Sequence, residues 1–221
     1  MKSRTKIRRL PKRGTYEREA IDSILDEALV CHLGLIRDGY PVVVPTLHAR
    51  AGDHVFVHGS AASATLRALA GGIEACLTVT LVDGIVLARS AFHHSVNYRS
   101  VVVFGRAEPV RSDEEKQEAL AAFTEKLVPG RWGDARLPSS RELKATSVLR
   151  LPISEASAKV RSGPPVDEEP DHELDVWAGV VPLELRRLPP EPDAGLRPGI
   201  ELPPYLARWS DQRGSVGATI R

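Results

Sequence analysis

The sequence is poor in cysteine and has no long hydrophobic run. Its 2 cysteines, Cys31 and Cys76, both lie inside apolar stretches and do not form a C-x-x-C pair. They therefore indicate small buried side chains in a reducing compartment and argue against a disulfide framework or a zinc site. No apolar run approaches the roughly 18 residues that a membrane helix needs, and the first residues lack the apolar core of a signal peptide. We expect a cytoplasmic protein without a membrane partner.

An excess of one charge and the common nucleotide-binding motifs are also absent. The 30 basic and 29 acidic residues leave a formal net charge of +1, which gives no reason to expect a nucleic-acid partner. The chain has no G-x-G-x-x-G after a strand, no Walker A loop and no G-x-S-x-G elbow. These absences argue against the classical dinucleotide folds, P-loop proteins and α/β-hydrolases.

The chain does contain a series of short apolar segments separated by turn residues. Strands are predicted at 30–36, 42–50, 54–58, 73–82, 85–90, 101–110, 146–151, 153–161 and 176–188. Helices are predicted at 16–29 after a cap by Thr15, at 65–70, from Ser112 to Val128, and after Ser139. Asp38-Gly39 and Asp83-Gly84 each predict a tight hairpin. The first six of these strands, linked by tight turns, indicate a mainly β fold with flanking helices (α+β), closed as an antiparallel barrel.

Composition divides the chain into three parts. Residues 1–14 are basic, and a solvated terminus is the favoured interpretation over an electrostatic arm. Residues 15–188 are predicted to form a single domain, within which 163–173 make an acidic, proline-rich loop. Residues 189–221 form a proline-rich C-terminal tail.

The stretch from His54 to Arg67 is the first candidate site. A short strand ends at His58-Gly59-Ser60, and small residues then lead into a helix. Such a turn can present backbone N–H groups and the hydroxyls of Ser60 and Ser63 to an anion, although an ordinary turn with a serine cap has the same pattern.

The segment 92–101 is the second candidate site. Arg99 could pair with a phosphate, Asn97 could bond to a heterocycle edge and Tyr98 could stack on a ring. A polar loop with a surface arginine is the alternative. His93 and His94 are adjacent, so they would point to opposite faces of a strand, and we expect no metal site.

Five motifs occur in an order that resembles a known family. They are CHLGLIRDGYPVVVPTLHAR at 31–50, VHGSAAS at 57–63, NYRSVVVFGRA at 97–107, ISEASAKVRSGPP at 153–165 and WAGVVPL at 177–183. They resemble the flavin-binding split-barrel proteins related to pyridoxamine 5′-phosphate oxidase, in the branch that includes the nitroimidazole-resistance proteins. The resemblance implies a six-stranded antiparallel Greek-key split β-barrel. It also implies a homodimer with FMN held at the subunit interface.

The same resemblance implies the cofactor-binding residues. They are Pro45, Thr46, Leu47, His58, Gly59, Ser60, Ser63, Leu66, Asn97, Tyr98, Arg99, Ser100, Val101, Lys159, Arg161 and Trp177. The turn from Ser60 to Thr65 lacks the cation often found in relatives, so Arg67 or Arg99 would have to balance a phosphate.

The implied function is that of an FMN-dependent oxidoreductase acting on a small substrate, aromatic or nitro-containing. No basic pocket for pyridoxine phosphate is found, so that activity is not expected. No residue is assigned as catalytic, and His58 and Tyr98 are candidates for proton supply. The alternatives are a flavin-storage module, FAD in place of FMN, the deazaflavin F420, and haem with His93 or His94 as ligand.

Overall fold

The computed structural model describes residues 3–211, which contain eleven strands and six α-helices. The strands are β1 (Gly14–Thr15), β2 (Val30–Arg37), β3 (Tyr40–Leu47), β4 (Ala49–Ala51), β5 (His54–Ser60), β6 (Glu74–Leu87), β7 (Ser95–Arg106), β8 (Glu108–Pro109), β9 (Thr146–Pro152), β10 (Ala156–Arg161) and β11 (Gly179–Pro182). The helices are α1 (Arg18–Glu27), α2 (Ala64–Ala70), α3 (Asp113–Leu127), α4 (Arg131–Asp134), α5 (Ser140–Ala145) and α6 (Pro204–Asp211). No helix within residues 3–211 is long and apolar enough to cross a membrane.

The strands form two antiparallel sheets that share one core. The larger sheet has the order β1-β10-β7-β6-β2-β3, with β11 also paired to β6, and the smaller sheet has the order β4-β5-β9-β8. The chain passes between the sheets at His48, at Ala107 and through the turn between β9 and β10. Leu77 and Val101 of the larger sheet, Val55 and Leu149 of the smaller sheet and Leu25 of α1 are all fully buried in one apolar cluster. The predicted mainly β architecture with flanking helices is confirmed.

Helix α1 closes one side of this core with the predicted apolar face. Ile21, Ile24 and Leu25 are buried, as their spacing of three and four residues requires. The predicted cap is wrong, because the N-cap residue is Glu17 and the Thr15 hydroxyl only accepts a bond from the Glu17 N–H at 3.2 Å. The helix is therefore shorter than predicted at both ends.

The predicted hairpin at Asp83-Gly84 is also wrong. Strand β6 runs unbroken through this pair, with a register irregularity between Val82 and Gly84 where it pairs with β7. A Cβ added at Gly84 would lie 3.0 Å from Val180 and 3.1 Å from the Val181 carbonyl oxygen. Glycine is needed here because β11 approaches the backbone closely, whereas the real hairpin lies between β6 and β7 at residues 88–94.

Several other strand boundaries differ from those predicted. The strand expected at 42–50 is divided by His48, and the one at 101–110 begins earlier, at Ser95, and is divided by Ala107. Only Gly179–Pro182 of the expected segment 176–188 is a strand. The turn at Asp38-Gly39 is confirmed, because both residues have positive φ angles of 53° and 80°. The predicted helix after Ser139 is confirmed as α5, and it begins with a capping box of Ser139 with Glu142.

The N-terminal segment packs against the body of the protein. The Arg4 guanidinium donates through Nε and Nη2 to the buried Glu155 carboxylate, both at 2.6 Å, and through Nη1 to Glu74 at 2.8 Å. Strand β1 pairs with β10, placing Gly14 opposite Lys159. The interpretation of this segment as a solvated terminus is therefore wrong for the part of it that the structure describes.

Candidate cofactor site

The predicted site residues lie on β3, at β5 and α2, on β7, on β10 and just before β11. Pro45, Thr46 and Leu47 lie on β3, which ends the order of strands in the larger sheet as far as the structure describes it. An edge strand keeps backbone groups that are not used by a neighbouring strand, so β3 can offer N–H and C=O groups to a ligand. Pro45 lies opposite His32 of β2, and this register fixes the sheet face on which Pro45 lies.

The turn between β5 and α2 is built as the motif predicts. The Ser63 hydroxyl oxygen caps α2 by accepting from the Leu66 N–H at 3.4 Å, and the Ser60 hydroxyl oxygen accepts from the Ala62 N–H at 3.2 Å. Each hydroxyl keeps its hydrogen for a ligand, because these bonds use only the oxygen. Gly59 lies against buried Leu66, whose Cδ1 would be 3.1 Å from an added Cβ. Leu66 therefore packs against the turn from the core side.

Arg37 brings a cation to this turn, and the sequence analysis missed it. Its Nη1 donates to the Thr65 hydroxyl oxygen on the first turn of α2 at 3.2 Å. The nearest carboxylate is that of Asp38 at 3.8 Å, and Asp38 is 87% exposed, so this ion pair is weak. No local signal could have found Arg37, because 28 residues separate it from Thr65.

Arg99 is engaged by two carboxylates. Its Nε and Nη2 donate to Asp83 of β6 at 3.0 and 2.7 Å, and its Nη1 and Nη2 donate to Glu27 at the end of α1. These bonds, first with Glu27 and then with Asp83, raise the pKa of Arg99. A phosphate would have to compete with both carboxylates for this guanidinium.

Arg161 has a different environment. It is 7% exposed, and its Nη1 donates to the side-chain oxygen of Asn97, whose own Nδ2 donates to the Gly163 carbonyl at 3.1 Å. Its Nη2 donates to the Pro164 carbonyl at 3.3 Å. All these acceptors are neutral, and no carboxylate of residues 3–211 forms an ion pair with Arg161.

The other late motif residues lie close by in the sheet. Tyr98 pairs with Arg161 and Ser100 with Lys159, and the Ser100 hydroxyl donates to the Lys159 carbonyl at 3.2 Å. Val101 is fully buried in the core, so only its backbone is available to a ligand. Trp177 is 66% exposed, and its ring lies 2.8 Å from the position of a Cβ at Gly179.

The histidines fall into two kinds. Burial lowers the pKa of His58; its ring contacts Phe123 edge-on at 4.3 Å, and its Nδ1 is enclosed without a hydrogen bond. His94 is exposed, and its Nδ1 lies 3.0 Å from the Ser90 carbonyl. The His93 ring contacts the Phe92 ring edge-on at 5.2 Å, and its Nε2 lies 3.7 Å from Glu168. Within residues 3–211 no three histidine, cysteine or acidic side chains form a potential metal cluster.

Two antiparallel sheets around one core, with a small-residue turn and a polar strand beside it, form a split barrel. Residues 17–160 match the model of the pyridoxamine 5′-phosphate oxidase family, and the chain belongs to this family. The resemblance and fold stated from the sequence are thereby confirmed. No match is found among curated proteins.

Three solved structures give the range of similarity. The flavocytochrome Anf3 from Azotobacter vinelandii is 41% identical, with a TM-score of 0.89 over 94% of this chain and 97% of that one. The FAD and haem binding protein from Mycobacterium smegmatis is 38% identical, with a TM-score of 0.85 over 89% of this chain and 97% of that one. A 5-nitroimidazole resistance protein from Bacteroides thetaiotaomicron is 23% identical, with a TM-score of 0.57 over 66% of this chain and 86% of that one, and supports the fold alone.

Proposed function

We propose that this chain is a redox protein that binds both a flavin and a haem. The observation that carries this proposal is how much of the chain is similar to each of two solved structures. The family model ends at residue 160, whereas the similarity to the flavocytochrome covers 94% of the chain at 41% identity. The second protein at this level is named for FAD and haem. Haem was one of the alternatives from the sequence, and these relatives favour it as a cofactor bound together with flavin.

The flavin part of the proposal fits the residues at the β5–α2 turn. The Ser60 and Ser63 hydroxyls can donate to a phosphate, and Arg37 can balance its charge. A bound flavin supplies hydride or electron transfer through its ring, while the protein supplies binding and orientation. His58 and Tyr98 are the candidate residues for proton supply. We predicted FMN from the sequence, and the name of the Mycobacterium protein favours FAD.

The haem part of the proposal fits His94. A histidine that binds iron usually donates its other ring N–H to a carbonyl or carboxylate, which fixes the ring and its tautomer. The Nδ1 of His94 has such a partner in the Ser90 carbonyl, which leaves Nε2 with its lone pair outward. The ring of His93 has no hydrogen-bond partner within residues 3–211, since the Glu168 carboxylate lies 3.7 Å from its Nε2, so His94 is the candidate ligand of the two.

A homodimer is supported by the outer face of the larger sheet. On this face lie Val30, Ile36, Val43 and Val82, each between 45% and 64% exposed. Register and alternation place them together, because β2 pairs with both β3 and β6. Exposed apolar side chains gathered on one sheet face indicate a surface that a partner covers. We propose that a second copy covers it, with the flavin between the two.

The absorbance spectrum of the purified protein tests the function. We expect flavin bands near the two wavelengths typical of free flavin, together with a Soret band after haem addition. Release of the flavin by heat, followed by chromatography against FMN and FAD standards, identifies its form. A protein that takes up flavin but no haem would overturn the two-cofactor proposal and leave a single-flavin family member. Titration with F420 tests the deazaflavin alternative.

Reduction by NADH or NADPH then separates an oxidoreductase from a flavin-storage module. Bleaching of the flavin bands within seconds, followed by reoxidation on adding a small nitroaromatic compound, would support the oxidoreductase. Flavin that neither reductant reduces would favour storage.

A further inference from the structure

We propose that Arg13, Lys159 and Arg161 form an anion-binding site for an acidic group of the bound cofactor, with Arg13 supplied by the N-terminal segment. This inference rests on the proposed function for the identity of its ligand. The shared chemistry is that of a phosphate or a carboxylate, and FAD and haem both carry such groups. The site lies on the larger sheet, whereas the turn of Ser60 and Ser63 lies on the smaller one.

The first step of the argument is the unbalanced charge of Arg161. A buried cation is usually paired with a carboxylate, because burial without a counter-charge is costly. Arg161 is 7% exposed and has only neutral oxygen partners within residues 3–211. Arg99, which lies on β7 two residues after Asn97, shows the contrast, since two carboxylates balance its charge.

The second step is that Arg161 keeps donors for a ligand. A guanidinium has five N–H donors, and the bonds of Arg161 use the two on Nη1 and one on Nη2. Its Nε–H has no acceptor in the described chain. Enclosed side-chain atoms without a bond are found only at His48 and His58 among these residues, so Nε of Arg161 is open to a ligand.

The third step is the position of Arg13. Gly14 pairs with Lys159 and Thr15 with Ala158, so Arg13 lies beside the end of β10 that carries Arg161. Residues 11–13 also lie close to β10, and burial first and the charge of Arg13 second lower the pKa of Arg161. Neither Arg13 nor Lys159 has an ion-pair partner within residues 3–211. Like charges gathered without counter-charge favour a multivalent anion.

The test measures cofactor affinity in Arg13→Gln and Arg161→Gln, with Arg9→Gln as the matched control. Arg9 is an exposed cation of the same segment and lies four residues before Arg13, which directly precedes the first pair of β1 with β10. We expect the affinity for FAD to fall about tenfold or more in both variants relative to Arg9→Gln, with no change for riboflavin, which has no phosphate. Arg161 is buried and its replacement could impair folding, whereas Arg13 is half-buried and its variant should fold.

Ligand comparison identifies the source of the anion. A loss of affinity for FAD but not for FMN assigns the site to the second phosphate of FAD. An equal loss of affinity for both assigns it to the phosphate next to the ribityl chain. A loss for haem but not for haem dimethyl ester assigns it to a propionate. Any of these supports the site, and affinities that equal those of Arg9→Gln for every ligand would overturn it.

Pyrophosphate alone separates this inference from the proposed function. We expect pyrophosphate to raise the melting temperature of the wild type more than that of Arg13→Gln. This difference would stand even if the wild type bound neither flavin nor haem, and the proposed function would then fail while the anion site remained. An equal rise in both proteins would count against the site.

Discussion

Arg99 of β7 and Asp83 of β6 form a two-point ion pair across neighbouring strands. The Nε–Oδ2 distance is 3.0 Å and the Nη2–Oδ1 distance is 2.7 Å, and the side chains are 18% and 28% exposed. Glu27 binds the same guanidinium from the end of α1. This pair therefore joins a helix to two strands, and it sits where the register between β6 and β7 changes.

We predict that Arg99→Gln lowers the free energy of unfolding by about 1–3 kcal/mol, because it leaves two partly buried carboxylates side by side. Urea unfolding at neutral pH measures this. The double variant Arg99→Gln, Asp83→Asn should recover part of the loss, since it removes one of the two repelling charges. Equal stability of the wild type and Arg99→Gln would contradict the structural role.

We predict that Arg37→Gln weakens binding of a phosphate-bearing flavin about tenfold while leaving riboflavin binding unchanged. The reason is that Arg37 contacts Thr65 at the β5–α2 turn and has only a weak ion pair of its own. Quenching of flavin fluorescence on titration gives both dissociation constants. Arg67→Gln, which removes an exposed cation of α2, is the matched control, and a larger effect there would assign the phosphate to Arg67 instead.

We predict that acid weakens the fold through buried His48. Its pKa is lowered to about 4, first by burial and then by the charge of Lys126, whose Nζ lies 3.0 Å from Nε2. The folded state therefore binds fewer protons than the unfolded state between pH 6.5 and 4. The free energy of unfolding should fall as pH falls through this range, by at most about 1.4 kcal/mol per pH unit.

Replacing Lys126 tests the cause of this pH dependence. Lys126→Met removes the neighbouring charge, so His48 should protonate more easily and stability should fall less between pH 6.5 and 4 than in the wild type. Lys144→Met, at an exposed lysine of α5, is the control and should keep the wild-type slope. Parallel stability curves for all three proteins would show that the charge of Lys126 does not contribute to the low pKa of His48.

We predict that Val43→Asp converts the proposed homodimer into a monomer. Val43 is 64% exposed on the apolar face, and an aspartate buried in the proposed interface without a partner would be costly. Light scattering after size exclusion measures the mass. Val166→Asp introduces the same charge at a residue of similar exposure in the loop after β10, and it should remain dimeric. A Val43→Asp protein that stays dimeric would place the interface elsewhere.

The sequence predicted the elements better than their connections. Alternating apolar residues were enough for β2 and β5, because one face of each strand is buried in the core. The pair Asp83-Gly84 was misleading, since a glycine in a strand and a glycine in a hairpin look alike until the approach of β11 is known. The divisions of long strands at His48 and Ala107 depend on how two sheets meet, which no local pattern records.

The sequence predicted which elements carry the candidate site residues, but not which of their charges are neutralised by other side chains. The motif residues at the β5–α2 turn and on β7 were found in the expected elements. The partners of Arg99, however, come from α1 and β6, and the cation near Thr65 comes from the end of β2. Which arginine is already neutralised, and which remains available to an anion, is decided by contacts between residues far apart in the chain.

The contact of Arg4 with Glu155 has a consequence for how the protein should be handled. Glu155 lies in the turn between β9 and β10, where the chain crosses from the smaller sheet to the larger one, and Arg4 also holds Glu74 at the start of β6. The first residues thus connect the two sheets near the place where they meet, and they lead into Arg13 beside β10. A tag or fusion at the amino end that displaces Arg4 would weaken the contacts where the two sheets meet. We expect such a protein to retain less of the proposed cofactor during purification.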